Sequence, residues 1–331
     1  MRFGVRLPNS GPFAIPSVVL EVARKAERLG YDLLTAHDHI PWGESQKYHF
    51  SAGTVEALDK TDSKLNFYES STVLAYVAAA TTRIKLLPAA FVLPLRHPLV
   101  LAKQVATLNQ LSGGRLIFCA SIGNVEKDFE VLGVPWKKRG KITDEYLLAL
   151  KTVFSKKATS SFTGKFVDFK DASFYPKPDG LPFWIASGIS DQALNRLARF
   201  GDGWLPATSA ENISIGLRKL EPLMKERGRN MEELEIYNES FLCLASSEDE
   251  ATSISSKTLD TFSTLKETRR THPGDFGTAN LIGSPKTVAR RMKDFEVTGV
   301  EGFELKFLAS SSESMLEMME LFMKEVAPTF Q

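Results

Sequence analysis

The sequence lacks the features that mark metal, membrane and nucleic-acid-binding proteins. Its 331 residues include two cysteines and five histidines, and no spaced metal-ligand motif joins them. The N-terminus has prolines and glycines instead of an apolar signal core, and no apolar run reaches about eighteen residues. Lysine plus arginine (41) nearly balance aspartate plus glutamate (40), and the net charge is +1. Such a small charge provides no strong electrostatic attraction for a polyanion such as a nucleic acid. We therefore expect a cytoplasmic protein with no metal site that binds neither nucleic acid nor membranes.

Fingerprints of two large enzyme classes are missing as well. No strand-like run is followed by GxGxxG, which argues against a Rossmann-type nicotinamide site. A GxSxG elbow is also absent, and Cys119 and Cys243 both lie inside apolar strand-like runs. Both cysteines are therefore predicted to be reduced, buried thiols with no nucleophilic role.

What the chain does contain is a regular alternation of short β-type runs and helical patterns, which predicts a parallel sheet. The eight predicted strands are RFGVRLP, YDLLTA, RIKLLPAAFVL, RLIFCAS, LPFWIAS, GWLPA, ELEIYNESFLCLAS and GFELKFLA. The predicted helices cover residues 16–29, 67–80, 98–111, 126–132, 144–154, 191–200, 213–227 and 284–300.

Eight alternating units in a chain of this length predict an α/β fold, a single (β/α)₈ TIM barrel over residues 1–331. Three connections are long, 39–66, 156–181 and 246–283, and we interpret them as insertions at the C-terminal rim. The pair SFTGKFVDFKD within the second predicts two β-strands that turn at Gly164.

The stretch TAHDHIPWG follows the second predicted strand, where barrel enzymes place their chemistry. One interpretation makes Asp38 the group that orients an imidazole, with His37 or His39 as a proton or hydrogen-bond donor. An ordinary polar loop is the alternative, since Asp and His are common at strand ends. A metal site would need a third ligand in addition to the two histidines, and the sequence offers no pattern for one.

A possible anion site follows the fifth predicted strand. LPFWIAS leads through Gly188 to Ser190 and Asp191, which would cap a helix whose first N–H groups can meet a phosphate. A helix cap that binds nothing explains the same residues. Barrel phosphate sites usually follow strands seven and eight, so this position is unusual.

Several longer motifs carry a family resemblance. RIKLLPAAFVLPLRHP, LAKQVATLNQLSGGRL, FEVLGVP, RG and DEYL occur in that order, followed by FWIASGIS and GDGW. This series resembles the bacterial-luciferase-like superfamily of flavin and deazaflavin oxidoreductases. The resemblance runs from Met1 to about Ala207, and GVEGFELKF is similar to the family's last strand.

The resemblance implies a barrel, usually dimeric, that holds its cofactor at the strand C-termini. Asp38 and His39 match an AspHis pair typical of the members that use coenzyme F420, the 5-deazaflavin, in which the histidine lies near the reactive ring. By the same resemblance Trp42 would line the substrate pocket, and no role transfers to His37.

Three further segments match the family's cofactor-binding positions. Leu87, Pro88 and Ala89 map to a bulge, often with a cis peptide, that supports the ring, although many members have glycine where Leu87 and Ala89 stand. Some deazaflavin members carry a glutamate proton donor at the position of Asn124, which disfavours a sugar-phosphate dehydrogenase mechanism here. The remaining cofactor positions implied by the resemblance are Ser121 and Gly123 after the fourth strand, and Ala186, Ser187, Gly188 and Ile189 around the phosphate.

These observations predict an oxidoreductase that transfers a hydride between coenzyme F420 and a small organic substrate, with Asp38 orienting His39. The alternatives are an FMN-dependent monooxygenase that uses O₂ and a flavin-binding protein without turnover. The motifs do not identify the substrate.

Overall fold

A barrel of parallel strands forms the centre of the molecule. The computed structural model describes residues 1–40, 66–259 and 277–331. One sheet contains the strands β1 (Arg2–Arg6), β2 (Leu33–Ala36), β3 (Lys85–Pro88), β4 (Phe91–Val92), β5 (Phe118–Ser121), β8 (Phe183–Ile185), β9 (Gly203–Trp204), β10 (Glu235–Leu244), β11 (Leu281–Gly283) and β12 (Gly302–Phe307). A separate antiparallel pair consists of β6 (Thr159–Thr163) and β7 (Asp168–Ser173).

The sheet closes because its third strand pairs along both edges. β3 pairs with β2, and Leu86 of β3 also bridges Leu116 just before β5. After the two intervening residues Ala89 and Ala90, β4 continues the same strand and pairs with β5. The positions around the barrel are then β1, β2, β3 with β4, β5, β8, β9, β10 and β12. The predicted (β/α)₈ barrel is confirmed.

Helices surround the strands. Those with both ends in the described residues are α1 (Pro16–Leu29), α2 (Ser70–Ala78), α3 (Pro98–Leu111), α4 (Glu126–Val131), α5 (Arg139–Val153), α6 (Asp191–Phe200), α7 (Ala210–Lys225), α8 (Glu248–Leu259), α9 (Pro285–Glu296) and α10 (Ser312–Leu321). Residues with known helix-capping preferences mark the helix ends. Helix α1 begins at Pro16 and ends before Gly30, whose φ of 88° is left-handed. Ser190 caps α6 by accepting the backbone N–H of Ala193.

The expected rim insertions are described in part. The segment 156–181 contains the predicted two-stranded pair, formed by β6 and β7. The segment 246–283 begins with α8 and ends with β11, which pairs with β10, whereas 260–276 lie outside the described residues. Of the segment 39–66, only residues 39, 40 and 66 are described.

Successive side chains of each strand point to opposite sides of the sheet, so the strands contribute to two separate apolar cores. Leu34, Leu86 and Phe118 point outward and join the large core beneath the helices. Their sequence neighbours Leu33, Leu87 and Ile117 join a second cluster inside the barrel, together with Ala89, Cys119, Trp184, Leu205 and Tyr237. This inner cluster fills the barrel, so the space for a ligand lies above it. Within the described ranges, no helix combines the length and apolarity needed to cross a bilayer.

The two cysteines lie on different strands and are both free and buried. Cys119 points into the barrel from β5, and Cys243 of β10 faces the outer core. Burial raises the pKa of the Cys119 thiol well above its ordinary value and raises that of Cys243 to about 12. The predicted reduced, buried thiols are confirmed.

We expect the native protein to react only slowly with a thiol reagent at pH 8, because burial restricts access and keeps both thiols protonated. After denaturation without reductant, two free thiols should be counted with the same reagent. Finding none after denaturation would mean that the cysteines form a disulfide, which this strand order forbids.

Candidate active site

A cavity of about 540 Å³ opens at the C-terminal ends of the strands. Its walls come from the segments that follow β2, β3, β5, β8 and β9, and its lining also includes Glu239 of β10. Side chains from distant parts of the sequence meet here because parallel strands of a barrel all end on one face.

Asp38 is buried at the end of β2 and forms an ion pair with Arg96. Both guanidinium nitrogens Nη1 and Nη2 donate to the carboxylate, one to each oxygen. The Ser70 hydroxyl and the Val92 backbone N–H also donate to it, at 2.9 and 3.0 Å. Burial would lower the pKa of Arg96, yet the Asp38 charge raises it above its ordinary value, so the guanidinium stays charged. The prediction that Asp38 orients His39 is therefore wrong.

The carboxylate that contacts His39 belongs to Asp128 on α4. Asp128 Oδ2 lies 3.2 Å from His39 Nδ1, and the Asp128 side chain is only 2% exposed. Adjacent residues of an extended chain point in opposite directions, which explains why Asp38 and His39 have different partners. A carboxylate at Nδ1 assigns the proton of the neutral imidazole to that atom and makes Nε2 the basic nitrogen.

His37 is part of the packing beneath this rim. Its Nε2 lies 2.8 Å from the Ser10 hydroxyl, and its ring stacks on Phe67 with centroids 4.8 Å apart. Its backbone oxygen accepts a hydrogen bond from the Asn9 amide. These contacts hold the strand end from which His39 projects.

The bulge in the third strand forms one wall. A cis peptide joins Ala89 to Ala90, and both residues line the cavity. The cis bond lies at the end of the segment Leu87 to Ala89 that the resemblance maps to the bulge, and it joins two alanines. Leu87 and Pro88 do not line the cavity: Leu87 belongs to the inner core, and Pro88 pairs with Ala36 of β2.

The turn after β5 forms the next wall, where Ser121, Gly123 and Asn124 line the cavity. Gly123 has φ of 80°, and a Cβ there would lie 2.6 Å from Val92 Cγ1 and 2.8 Å from the ring of Phe129. The turn therefore needs glycine. Asn124 is exposed and carries no acidic proton.

Small and cationic residues gather at the end of the cavity near α6. Ala186, Ser187 and Gly188 line it, as do Arg139 and Arg196. Within the described part of the chain, Ser187 Oγ and Arg139 Nε are buried without hydrogen-bond partners, and a Cβ on Gly188 would meet nothing within 4 Å. Ile189 does not line the cavity, since it packs towards Gly216 of α7. This end is suited to an anion.

A charged layer inside the barrel was not predicted. Arg6 Nε donates to Glu304 at 2.5 Å and Nη2 donates to Glu239 at 3.1 Å, while Lys306 Nζ donates to Glu239. Glu239 is the member that lines the cavity. The sequence does carry a signal, because charged residues stand at alternate positions of apolar strand runs such as GFELKF. From the sequence, these runs were predicted only to form strands.

A second cavity of about 630 Å³ also has His39 in its lining, together with Ile40, Phe67 and Val100, among others. The histidine thus borders both spaces. Trp42, predicted to line the substrate pocket, lies outside the described residues.

A family model described as luciferase-like monooxygenase matches residues 1–302. The chain belongs to the luciferase-like monooxygenase family. An FMNH(2)-dependent dimethylsulfone monooxygenase from Pseudomonas fluorescens is 24% identical over 290 residues, which cover 79% of this chain and 77% of that protein. The suspected family and its oxidoreductase class are thereby confirmed.

Two solved structures share the fold across the whole chain. Monooxygenase RslO1 from Streptomyces bottropensis has a TM-score of 0.82 and 20% identity, covering 100% of both chains. An F420-dependent secondary alcohol dehydrogenase, in complex with an F420-acetone adduct, has a TM-score of 0.81 and 17% identity, covering 100% of this chain and 99% of that one. At these identities the likeness establishes the barrel fold and leaves the choice of cofactor open.

The Asp38–Arg96 pair should stabilise the site strongly. We expect Arg96→Met to lower the free energy of unfolding by about 3 kcal/mol, because it leaves a buried carboxylate without its cation. Urea denaturation would measure the change. As control, Lys219→Met removes an exposed pair with Asp191 and should cost less than about 1 kcal/mol. Equal losses in the two variants would contradict this account.

Proposed function

We propose that this protein is an oxidoreductase that transfers a hydride between coenzyme F420 and a small organic substrate. The observation that carries the proposal is the position of His39. It lines the cavity together with the Ala89–Ala90 bulge, is held by Asp128, and borders the second cavity as well. The AspHis pair at residues 38 and 39 resembles that of F420-dependent members.

The lining residues fit a cofactor with a phosphate group. Ser187 Oγ and Arg139 Nε are buried polar atoms that lack partners among the described residues, and Gly188 leaves open space beside them. These three residues would hold the phosphate, while Ala89 and Ala90 would support the ring. When bound, coenzyme F420 supplies a two-electron hydride carrier.

The protein's own part is to hold reactants and to move one proton. Asp128 keeps the His39 ring oriented and places the ring proton on Nδ1, so Nε2 would take a proton from a substrate hydroxyl during oxidation or return it during reduction. The cavity walls fix the approach of substrate to cofactor and exclude water, which accounts for much of the expected rate enhancement.

A second candidate is an FMN-dependent monooxygenase. Asn124 favours it, because it occupies the cavity position where some deazaflavin members carry an acidic proton donor. Such an enzyme uses O₂ and needs no acid at this position.

We expect the purified protein to bind coenzyme F420 more tightly than FMN in a fluorescence titration. His39→Ala should keep F420 affinity within about threefold, because phosphate and backbone contacts anchor the cofactor, while hydride transfer falls by about 10²- to 10⁴-fold. Tighter binding of FMN would favour the monooxygenase. Binding without turnover on a broad panel of alcohols and carbonyl compounds would favour a non-catalytic flavin-binding protein.

Asp128→Asn provides the matched test of the histidine's partner. If Asp128 acts through His39, the double variant His39→Ala/Asp128→Asn should be no slower than His39→Ala alone. Multiplicative losses would show that Asp128 acts independently of the histidine.

The phosphate end can be tested separately. Gly188→Val should weaken cofactor binding by about tenfold or more, because the added side chain would occupy the space beside Ser187 Oγ and Arg139 Nε. Thermal unfolding should change little, since a Cβ there meets no protein atom within 4 Å. Gly188→Ala is the control and should have a smaller effect on affinity. Unchanged affinity in a folded Gly188→Val variant would place the phosphate elsewhere.

A further inference from the structure

The charged layer beneath the cavity is built by strand register. Glu239 of β10 lies opposite Glu304 of β12, and Arg6 of β1 lies opposite Thr35 of β2. Arg6 contacts both carboxylates and thereby keeps two adjacent negative charges together. Lys306 adds a second cation, so two positive and two negative side chains balance within the barrel.

Most of this layer is closed off from the cavity. Arg6 and Glu304 have side chains that are 1% and 0% exposed, whereas that of Glu239 is 20% exposed and lines the cavity. Burial would raise the pKa of Glu239, yet Lys306 and Arg6 lower it below its ordinary value. Glu239 is therefore the carboxylate that this layer presents to the cavity floor.

Burying a network of charged side chains inside a barrel costs desolvation free energy. Well-packed apolar residues usually serve at least as well, and the inner core of this barrel consists of such residues a short distance below. Glu239 is also set apart from the other ionisable residues of the lining. Arg139 and Arg196 belong to the anion end, and His39 belongs to the rim. The Asp38 carboxylate already accepts four hydrogen bonds from Arg96, Ser70 and Val92, whereas the Glu239 carboxylate accepts two, from Arg6 and Lys306.

Flavins and 5-deazaflavins share one ring edge that matches an anionic acceptor. This edge is an imide, whose N–H lies between two carbonyl groups, while the opposite edge is an aromatic ring without such an N–H. A charged acceptor strengthens a hydrogen bond from an N–H group. We propose that Glu239 accepts the imide N–H of the bound ring and so sets which end of the ring enters the barrel.

This inference rests on the proposed cofactor site and deepens it. Glu239 acts as a positioning residue, because it contacts the cofactor away from the reacting carbon. Its partners Arg6 and Lys306 keep the carboxylate ionised and oriented, which gives the otherwise costly network a role in binding.

The test compares affinities for a cofactor and its N3-methylated form, using F420 or FMN, whichever the wild-type protein binds more tightly. Methylation removes the imide N–H. Glu239→Gln has nearly the same shape as the native side chain, so steric effects of the methyl group cancel between the two proteins. We expect the loss of affinity on methylation to be about tenfold greater in the wild type than in Glu239→Gln, the difference between a charged and a neutral acceptor.

Two further variants guard against an effect of misfolding. Glu239→Gln combined with Lys306→Met restores charge balance and should show the same reduced methylation effect. Glu304→Gln makes the same chemical change in the same layer at a residue that does not line the cavity, and it should keep the full wild-type effect.

Equal methylation effects in wild type and Glu239→Gln would overturn the inference while leaving the cofactor site intact. So would an effect that falls equally in Glu304→Gln, since that result assigns the change to the network as a whole. Failure of the wild-type protein to bind either cofactor would refute the proposed function together with this inference.

Discussion

The ion pair between Asp38 and Arg96 holds together the part of the barrel on which the site depends. Its carboxylate receives hydrogen bonds from Arg96, from Ser70 at the start of α2 and from Val92 of β4. The end of β2, the first turn of α2 and the strand beyond the bulge are thus fixed to one buried charge. His39 and Ala90, which line the cavity, are sequence neighbours of these groups. The pair that stabilises the rim therefore also sets the positions of His39 and Ala90 in the cavity wall.

Alternation along the strands explains why the barrel is apolar at one level and charged at the next. Inward positions of β10 carry first Tyr237, which joins the inner core, and then Glu239, which reaches the cavity. The outward positions Ile236 and Leu242 are apolar and join the core beneath the helices, whereas Asn238 and Ser240 between them are buried polar residues that hydrogen-bond to each other. Charge can be accommodated inside only because four side chains of neighbouring strands neutralise one another in register.

Much of the fold could be predicted from the sequence, and the reasons are local. Pro16 and Gly30 mark the ends of α1, and Ser190 marks the start of α6, so both helices match their predicted bounds. Helix α5 begins at Arg139 instead of 144, because a 3₁₀ turn at Trp136–Lys138 leads into it and carries no periodic signal. The pairings of the site were not predictable in this way. His39 and Asp128 are 89 residues apart, and only the closed barrel brings them together.

Asp38 pairs with Arg96, and its neighbour His39 pairs with Asp128. The second pair connects the histidine to the segment that lines the cavity. Asp128 lies on α4, which follows directly from the turn at Gly123, and the next residue, Phe129, packs where a Cβ on that glycine would stand. Any displacement of this turn would therefore move Asp128 as well as the cavity wall. Because Asp128 holds Nδ1 of His39, the orientation of the imidazole depends on the same segment that would contact the cofactor. The proposed cofactor binding and the proposed proton transfer would thus depend on the same segment, which is distant from His39 in the sequence.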